Sequence, residues 1–126
     1  MDPRIQFLID VTEEQPHLKV EDLTRSVNLS VSRLQHLFKA ETNMTLTHYL
    51  RKLRMTYARQ LIESTHLSIK EVLNAVGLKD RSHFEREFKK AYGLTPAQCR
   101  RTALYNVILN QPDSRIGHKA ADWAIK

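Results

Sequence analysis

The 126-residue chain is poor in the residues on which several kinds of site depend. It has one cysteine, Cys99. No internal disulfide can form, which suits a reducing cytosol. Only three glycines are present, and neither GxGxxG nor GxxxxGK occurs, so no glycine-rich loop is available to cradle a phosphate. The six histidines, at 17, 36, 48, 66, 83 and 118, form no HExxH and no Cys/His cluster, so neither a metal nor another cofactor is expected. No apolar run approaches the ~20 residues of a membrane span. Met1-Asp2-Pro3-Arg4 lacks the basic region and apolar block of a secretory signal. No nucleophile–base pair, carboxylate pair or metal set is visible, so an enzyme is not expected.

What the chain does have is positive charge. Lys and Arg number 20 against 14 Asp and Glu, a formal charge of +6. With 41% hydrophobic and 27% charged residues it has the balance of a folded domain, one of average size or two very small ones on a shared scaffold. An excess of this size makes an acidic polymer or surface a natural partner, although charge alone fixes no function.

Glycine and β-branched residues are scarce, and apolar residues recur three and four apart, the periodicity of an all-helical protein. Asp2 and Pro3 form a cap and first-turn pair for a helix over about 3–14, with Ile5, Leu8, Ile9 and Thr12 on one face. A short helix over 20–27 buries Leu23 and Val27. The next, over 31–42, places Val31, Leu34, Leu37 and Phe38 inward. The longest is expected over 45–65, where Leu46, Tyr49, Leu50, Leu53, Tyr57 and Leu61 share one arc. Ser68 and Glu71 form a capping box for a helix over 69–76 that Gly77 ends. Another spans 80–92, with Phe84, Phe88 and Ala91 inward and Gly93 closing it, and the last starts at Pro96.

The two halves of this pattern match. Val27-Asn28-Leu29 corresponds to Val76-Gly77-Leu78 at an offset of 49, and Leu34, Phe38 and Thr42-Asn43-Met44-Thr45 to Phe84, Phe88 and Tyr92-Gly93-Leu94-Thr95 at an offset of 50. One residue inserted near the start of the second copy accounts for the change. Asn43 can replace glycine because Asn tolerates the left-handed conformation. Each copy has the size and turn of a helix-turn-helix, and the pair reads as an internal repeat. Two unrelated helical hairpins that look alike by chance are the plainer alternative.

In such a unit the second helix is the one that reads a groove. Opposite the apolar face of the first copy lie Ser32, Gln35, His36 and Lys39, spaced i, i+3, i+4, i+7. Ser82, Glu85, Arg86 and Lys89 repeat that spacing in the second, with Arg81 at the helix start. Ser and Gln can donate and accept at base edges, Arg can span both guanine acceptors, and Lys suits phosphate. Glu85 is repelled by phosphate unless it accepts from a cytosine amino group. Most polar helix faces are simply solvated, so it is the recurrence in a basic chain that gives the pattern weight. Arg51, Arg54, Lys39, Lys89 and Lys90 are the candidates for phosphate contact. The long helix, about 20 residues at 1.5 Å each, spans roughly 30 Å. That is close to the ~34 Å between successive major grooves; a plain core element is its other reading.

The stretch Leu67 to Arg101, LSIKEVLNAVGLKDRSHFEREFKKAYGLTPAQCRR, closely resembles the signature of the AraC/XylS family of bacterial transcription regulators. Val27 to Leu53 resembles that family's first helix-turn-helix, and the likeness extends over about residues 3–102. It implies an all-α domain of about seven helices, with helix-turn-helix subdomains at about 20–42 and 69–92 joined by the linker helix at 45–65. It also implies binding of double-stranded DNA in two adjacent major grooves, and RNA polymerase as a further partner. Base-contact positions carry over to Ser32, Gln35 and His36, and to Arg81, Ser82, Glu85 and Arg86. The chain departs from the pattern at His36, where Arg is common, at Leu78, where Phe or Tyr is usual, and at Lys79, which replaces a small residue before Asp80. A neutral His offers one donor at most.

Residues 1–102 are therefore expected to form the DNA-binding domain and 103–126 a helical extension. In that extension Leu104, Val107 and Ile108 prolong the last helix to about Leu109, and Ile116, Ala120 and Trp123 form a short amphipathic helix that caps the second subdomain or docks a partner. Cys99 aligns with Tyr49 and reads as core, with a redox-sensing thiol as the alternative. The length leaves no room for an effector domain: the chain acts as a monomer on DNA under control of its own amount, or it is the DNA-binding part of a longer regulator. A basic helical module that binds RNA or a protein is the rival reading, and a defined footprint over two adjacent grooves separates them.

Overall fold

The computed structural model describes residues 1–109, and all secondary structure among them is helical. Seven helices follow in order: α1 (Pro3–Glu14), α2 (Val20–Val27), α3 (Val31–Thr42), α4 (Leu46–Ser64), α5 (Ile69–Val76), α6 (Arg81–Tyr92) and α7 (Pro96–Leu109). The expected all-α architecture of two helix-turn-helix units joined by a long helix is present. The amphipathic helix expected around Ile116, Ala120 and Trp123 lies outside the described residues.

The helix ends follow from local chemistry. Four orphan N–H groups open each helix, and short polar side chains take some of them up. Asp2 accepts from the Arg4 amide at 2.8 Å, Ser30 from Arg33 at 3.2 Å, Thr45 from His48 at 3.2 Å and Asp80 from His83 at 3.0 Å. Asp80 thus caps α6 directly, and the unusual Lys79 before it costs the helix nothing at this end. Ser68 and Glu71 complete their capping box at 3.1 and 2.9 Å, and that bonding holds the Glu71 carboxyl below its ordinary pKa. Asn28, Asn43, Gly77 and Gly93 sit just past the ends of α2, α3, α5 and α6 with φ of 55°, 60°, 81° and 80°. All four stopping points use the left-handed conformation that Gly adopts freely and Asn tolerates.

These positions also register the repeat. α2 and α5 have eight residues each, and α3 and α6 have twelve. Asn28 to Ser30 makes a three-residue turn and Gly77 to Asp80 a four-residue one, so the extra residue of the second copy falls in the turn. The repeat also reaches further back than the sequence pattern suggested. Ile5, Leu8 and Thr12 are the buried residues of α1; Met55, Ala58 and Ile62, each 50 positions later, are buried on α4. The second half of α4 therefore serves the second unit as α1 serves the first.

This corrects the expectation of a single apolar arc on α4. Leu46 and Leu50 belong to the first core, with Ile5, Leu8, Leu23, Leu34 and Phe38. Met55, Ala58 and Ile62 belong to the second, with Val72, Leu73, Val76, Phe84, Phe88 and Cys99. At about 100° per residue the two buried sets lie about 130° apart around the helix. Tyr49, Leu53, Tyr57 and Leu61, on the expected arc, are only partly buried. Two further expectations fail: Val31 is 41% exposed at the first turn of α3, and Ala91 is exposed on α6.

Phe38 and Phe88 occupy equivalent places and both are fully buried. Phe38 packs on the Tyr49 ring at 5.1 Å between centroids, and Phe88 on Phe84 at 5.5 Å and Tyr92 at 4.8 Å. Phe38→Ala and Phe88→Ala should each lower stability by about 3–5 kcal/mol, because each empties a closed site with little freedom to collapse. Equilibrium urea unfolding checks this, and a loss under 1 kcal/mol at either position would break the equivalence of the two units.

Candidate nucleic-acid interface

Capping and core packing fix the outward faces of α3 and α6. With Leu34 and Phe38 locked inward, Ser32, Gln35, His36 and Lys39 are all exposed on the opposite side of α3. With Phe84 and Phe88 inward, Arg81, Ser82, Arg86, Lys89 and Lys90 are exposed on α6, and Glu85 is half-buried beside them. The structure therefore gathers the expected base-reading residues onto one face of each second helix.

Within α6 the charges are partly matched. Arg81 Nε donates to Glu85 Oε1 at 2.8 Å across one helical turn. The pair neutralises the carboxylate that would otherwise repel phosphate and holds Arg81 along the helix surface. Arg86 has no such partner among the described residues, so its planar fork is available to an outside acceptor. Lys89 and Lys90 stand in the last turn of α6, where a positive charge also suits the negative end of the helix dipole.

The linker helix divides its cations between two uses. Arg51 is exposed and lines an open cleft of about 290 Å³ between the subdomains, together with Val20, Leu50, Lys79 and His83. Arg54 lines the same cleft but is only partly exposed. Its Nε donates to the Pro16 carbonyl at 2.8 Å and its Nη2 to the Leu18 carbonyl at 2.5 Å. Half-burial presses its pKa below the ordinary value, and two of its five N–H donors go to the loop between α1 and α2. Arg59, also on α4, lies 4.4 Å over the Tyr92 ring and 3.4 Å from Glu63. That geometry packs α4 against the end of α6 rather than presenting a free cation.

Two cations that the repeat pattern does not single out lie beside the polar face of α3. Arg33 is exposed on α3, one position past Ser32, and Arg4 of α1 shares with Ser32, Arg33 and His36 a groove of about 350 Å³. The basic character of Arg33 was legible within the helix. Arg4 lies 28 residues before Ser32, and only the packing of α1 on α3 brings it there. Asp2 shares its charge, at 3.1 Å. Among the described residues no group of three His, Cys, Asp or Glu is arranged to hold a metal, and no helix is long and apolar enough to cross a membrane.

Residues 23–102 match the family model described as a helix-turn-helix domain, more than half of the chain. The chain belongs to this family, the AraC-type helix-turn-helix domains. It is 36% identical over 84 residues to the Msm operon regulatory protein of Streptococcus mutans, covering 67% of this chain and 30% of that protein. It is 35% identical over 98 residues to the lactose operon transcription activator of Staphylococcus xylosus, covering 76% and 35%. The chain thus spans about a third of the length of these curated relatives. Among solved structures, the C-terminal domain of AraT, a response regulator from Geobacillus stearothermophilus, superimposes with a TM-score of 0.67 at 33% identity, covering 80% of this chain and 86% of that one. The DNA-binding domain of AdpA, solved in complex with a target DNA, has the same fold, with a TM-score of 0.70 at 24% identity over 88% of this chain and 99% of that one.

Cys99 takes the place that Tyr49 holds in the first unit. It is 2% exposed, with Sγ 3.9 Å from a Glu63 carboxylate oxygen. Burial, and then the negative charge of Glu63, push the thiol pKa above its ordinary value. A raised pKa leaves less thiolate at neutral pH, and the thiolate is the reactive form. The native protein should therefore resist a thiol-reactive disulfide reagent at pH 7 and react fully once unfolded in denaturant. Stoichiometric labelling of the folded protein within minutes would restore the redox-sensor reading.

Proposed function

We propose that the chain binds double-stranded DNA in a sequence-specific way, as the DNA-binding unit of a bacterial transcription regulator. α3 and α6 enter two adjacent major grooves on one side of the duplex. The observation that carries this reading is the recurrence of one exposed polar pattern, i, i+3, i+4, i+7, on the second helix of both helix-turn-helix units, in a basic chain of the AraC-type family. The printed functions of the relatives, operon regulation and transcription activation, support it, as does the target DNA bound by the AdpA domain of the same fold.

In this reading Ser32, Gln35 and His36 meet base edges in one groove. Arg81, Ser82, Glu85 and Arg86 do so in the next. Lys39, Arg51, Lys89 and Lys90 hold the phosphates and set register without reading sequence. The 19 residues of α4, at about 1.5 Å each, give a rigid span of about 28 Å. One chain then does what two symmetry-related helices do in a dimer, and a monomer suffices on an asymmetric site. RNA polymerase is the proposed further partner, the cytoplasm the proposed setting, and no chemical step is required of the chain.

Selection of bound duplexes from a random pool, followed by footprinting, tests the reading directly; protection of two adjacent major grooves supports it. On the selected site, Lys39→Ala, Arg51→Ala or Lys89→Ala should each lower the slope of log affinity against log salt by about one unit. An affinity that does not change with salt would remove the electrostatic interface.

Arg86 carries the sharpest expectation on specificity. Arg86→Ala should lose about 1–3 kcal/mol on the best site and relax the preference at one base pair. Lys at that position should not restore it, because it lacks the planar fork. The measurement is a binding series on duplexes varied one pair at a time. An equal loss on every duplex, random ones included, would move Arg86 to the phosphate set.

A further inference from the structure

Reading two grooves with one chain requires that the two reading helices keep a fixed separation and angle. α4 carries part of both cores and sets their spacing, and any further contact between the subdomains adds to how firmly the angle is held. A second connection joins the two subdomains directly. At Gly77, in the turn between α5 and α6, an added Cβ would sit 2.9 Å from the His17 Cα and 3.0 Å from the His17 carbonyl oxygen. His17 lies in the loop between α1 and α2, so the turn of the second subdomain rests on the backbone of the first. Both opposing atoms are main chain and cannot swing aside.

The left-handed conformation does not by itself demand glycine here. Asn28 adopts it at the equivalent place in the first unit, and Asn43 does so after α3. Gly93, equivalent to Asn43, has nothing within 4 Å of its added Cβ. The close approach to His17 is therefore peculiar to Gly77. The loop it rests on is held on its other side by α4. Arg54 donates to the carbonyls of Pro16 and Leu18, the residues flanking His17, and Tyr57, one turn along, donates to the carbonyl of Glu13. Pro16 is buried and fixes φ within the loop.

We infer that Gly77, the His17 backbone and the Arg54 clamp form a joint that locks the two subdomains, and that this joint makes Arg54 and Gly77 the positioning residues for the spacing of the two half-sites. The inference rests on the DNA-binding reading above. The joint touches no base, and it acts by keeping both helices presented at once. Its loosening turns one bipartite ligand into two tethered ones, with most of the gain from simultaneous engagement spread over several spacings.

The test titrates the wild-type chain and its Gly77→Asn, Gly93→Asn and Arg54→Met variants on the selected site and on two relatives, one with a base pair added between the half-sites and one with a pair removed. The wild type and Gly93→Asn should lose about tenfold or more on either shifted duplex, as a rigid two-site ligand does. Gly77→Asn and Arg54→Met should each bind all three within about threefold of one another, and Gly77→Asn, which removes no charge, should keep wild-type affinity for an isolated half-site. Arg54→Met keeps the aliphatic stem, so a folding failure of Gly77→Asn by circular dichroism leaves the decision to Arg54→Met. Spacing discrimination as sharp as wild type in a folded variant overturns the joint, and so does loss of helix content in both variants, which marks the contacts as supports of folding alone. Dipolar couplings measured by NMR without DNA give an independent readout. The orientation of α1 to α3 relative to α5 to α7 should be unique in the wild type and averaged in Arg54→Met. If the wild type binds no duplex, the DNA-binding reading fails, and a unique orientation in both proteins then overturns the joint separately.

Discussion

The structure depends on α4 being apolar on two sides at once. Leu46 and Leu50 close one core, and Met55, Ala58 and Ile62 close the other. A short helix-turn-helix buries too little surface to fold well alone, because small units keep a large share of their area in water. Each of the two units borrows two further pieces of helix. The first takes α1 and the start of α4, and the second takes the rest of α4 and α7. Sharing one helix couples the two cores mechanically, since α4 cannot shift along its axis without disturbing both.

That sharing also explains the distribution of charge. A helix apolar on two sides meets both cores and solvent, and its cations are drawn into different uses. Arg51 remains exposed, Arg54 is turned onto backbone carbonyls, and Arg59 lies over Tyr92. Arginine suits the last two places because its delocalised, weakly hydrated charge and fixed fork tolerate partial burial better than an ammonium does. α3 and α6 need only one apolar stripe each, so their other faces are free for polar residues. The proposed base-reading residues therefore sit on helices that need one apolar stripe each, filled by Leu34 and Phe38 on α3 and by Phe84 and Phe88 on α6.

Thr12 shows how the repeat bends to local need. It stands where Ile62 stands in the second unit and is fully buried, so its hydroxyl needs a partner. It donates to the Leu8 or Ile9 carbonyl and meets the Tyr49 hydroxyl at 2.8 Å. Tyr49 corresponds to Cys99 in the second unit, where no hydroxyl is required. The two substitutions form a matched pair, a polar contact in one core and an apolar one in the other.

Much of this was legible in the chain itself. Caps, αL stops and three-and-four spacing are local signals, and from them the seven helices, the two repeats and the polar faces of α3 and α6 can be read. The sequence determined these because each depends on residues within one or two turns of one another. Tertiary structure alone decided which face of α4 meets which core, because Met55, Ala58 and Ile62 find their partners in α5, α6 and α7. It decided that Val31 and Ala91 stay outside, that Arg4 joins Ser32 and His36, and that Arg54 reaches the loop between α1 and α2. It alone revealed that Gly77 is needed for the backbone of His17. These outcomes turn on contacts between residues tens of positions apart, where periodicity says which residues are apolar or charged but not what they will touch.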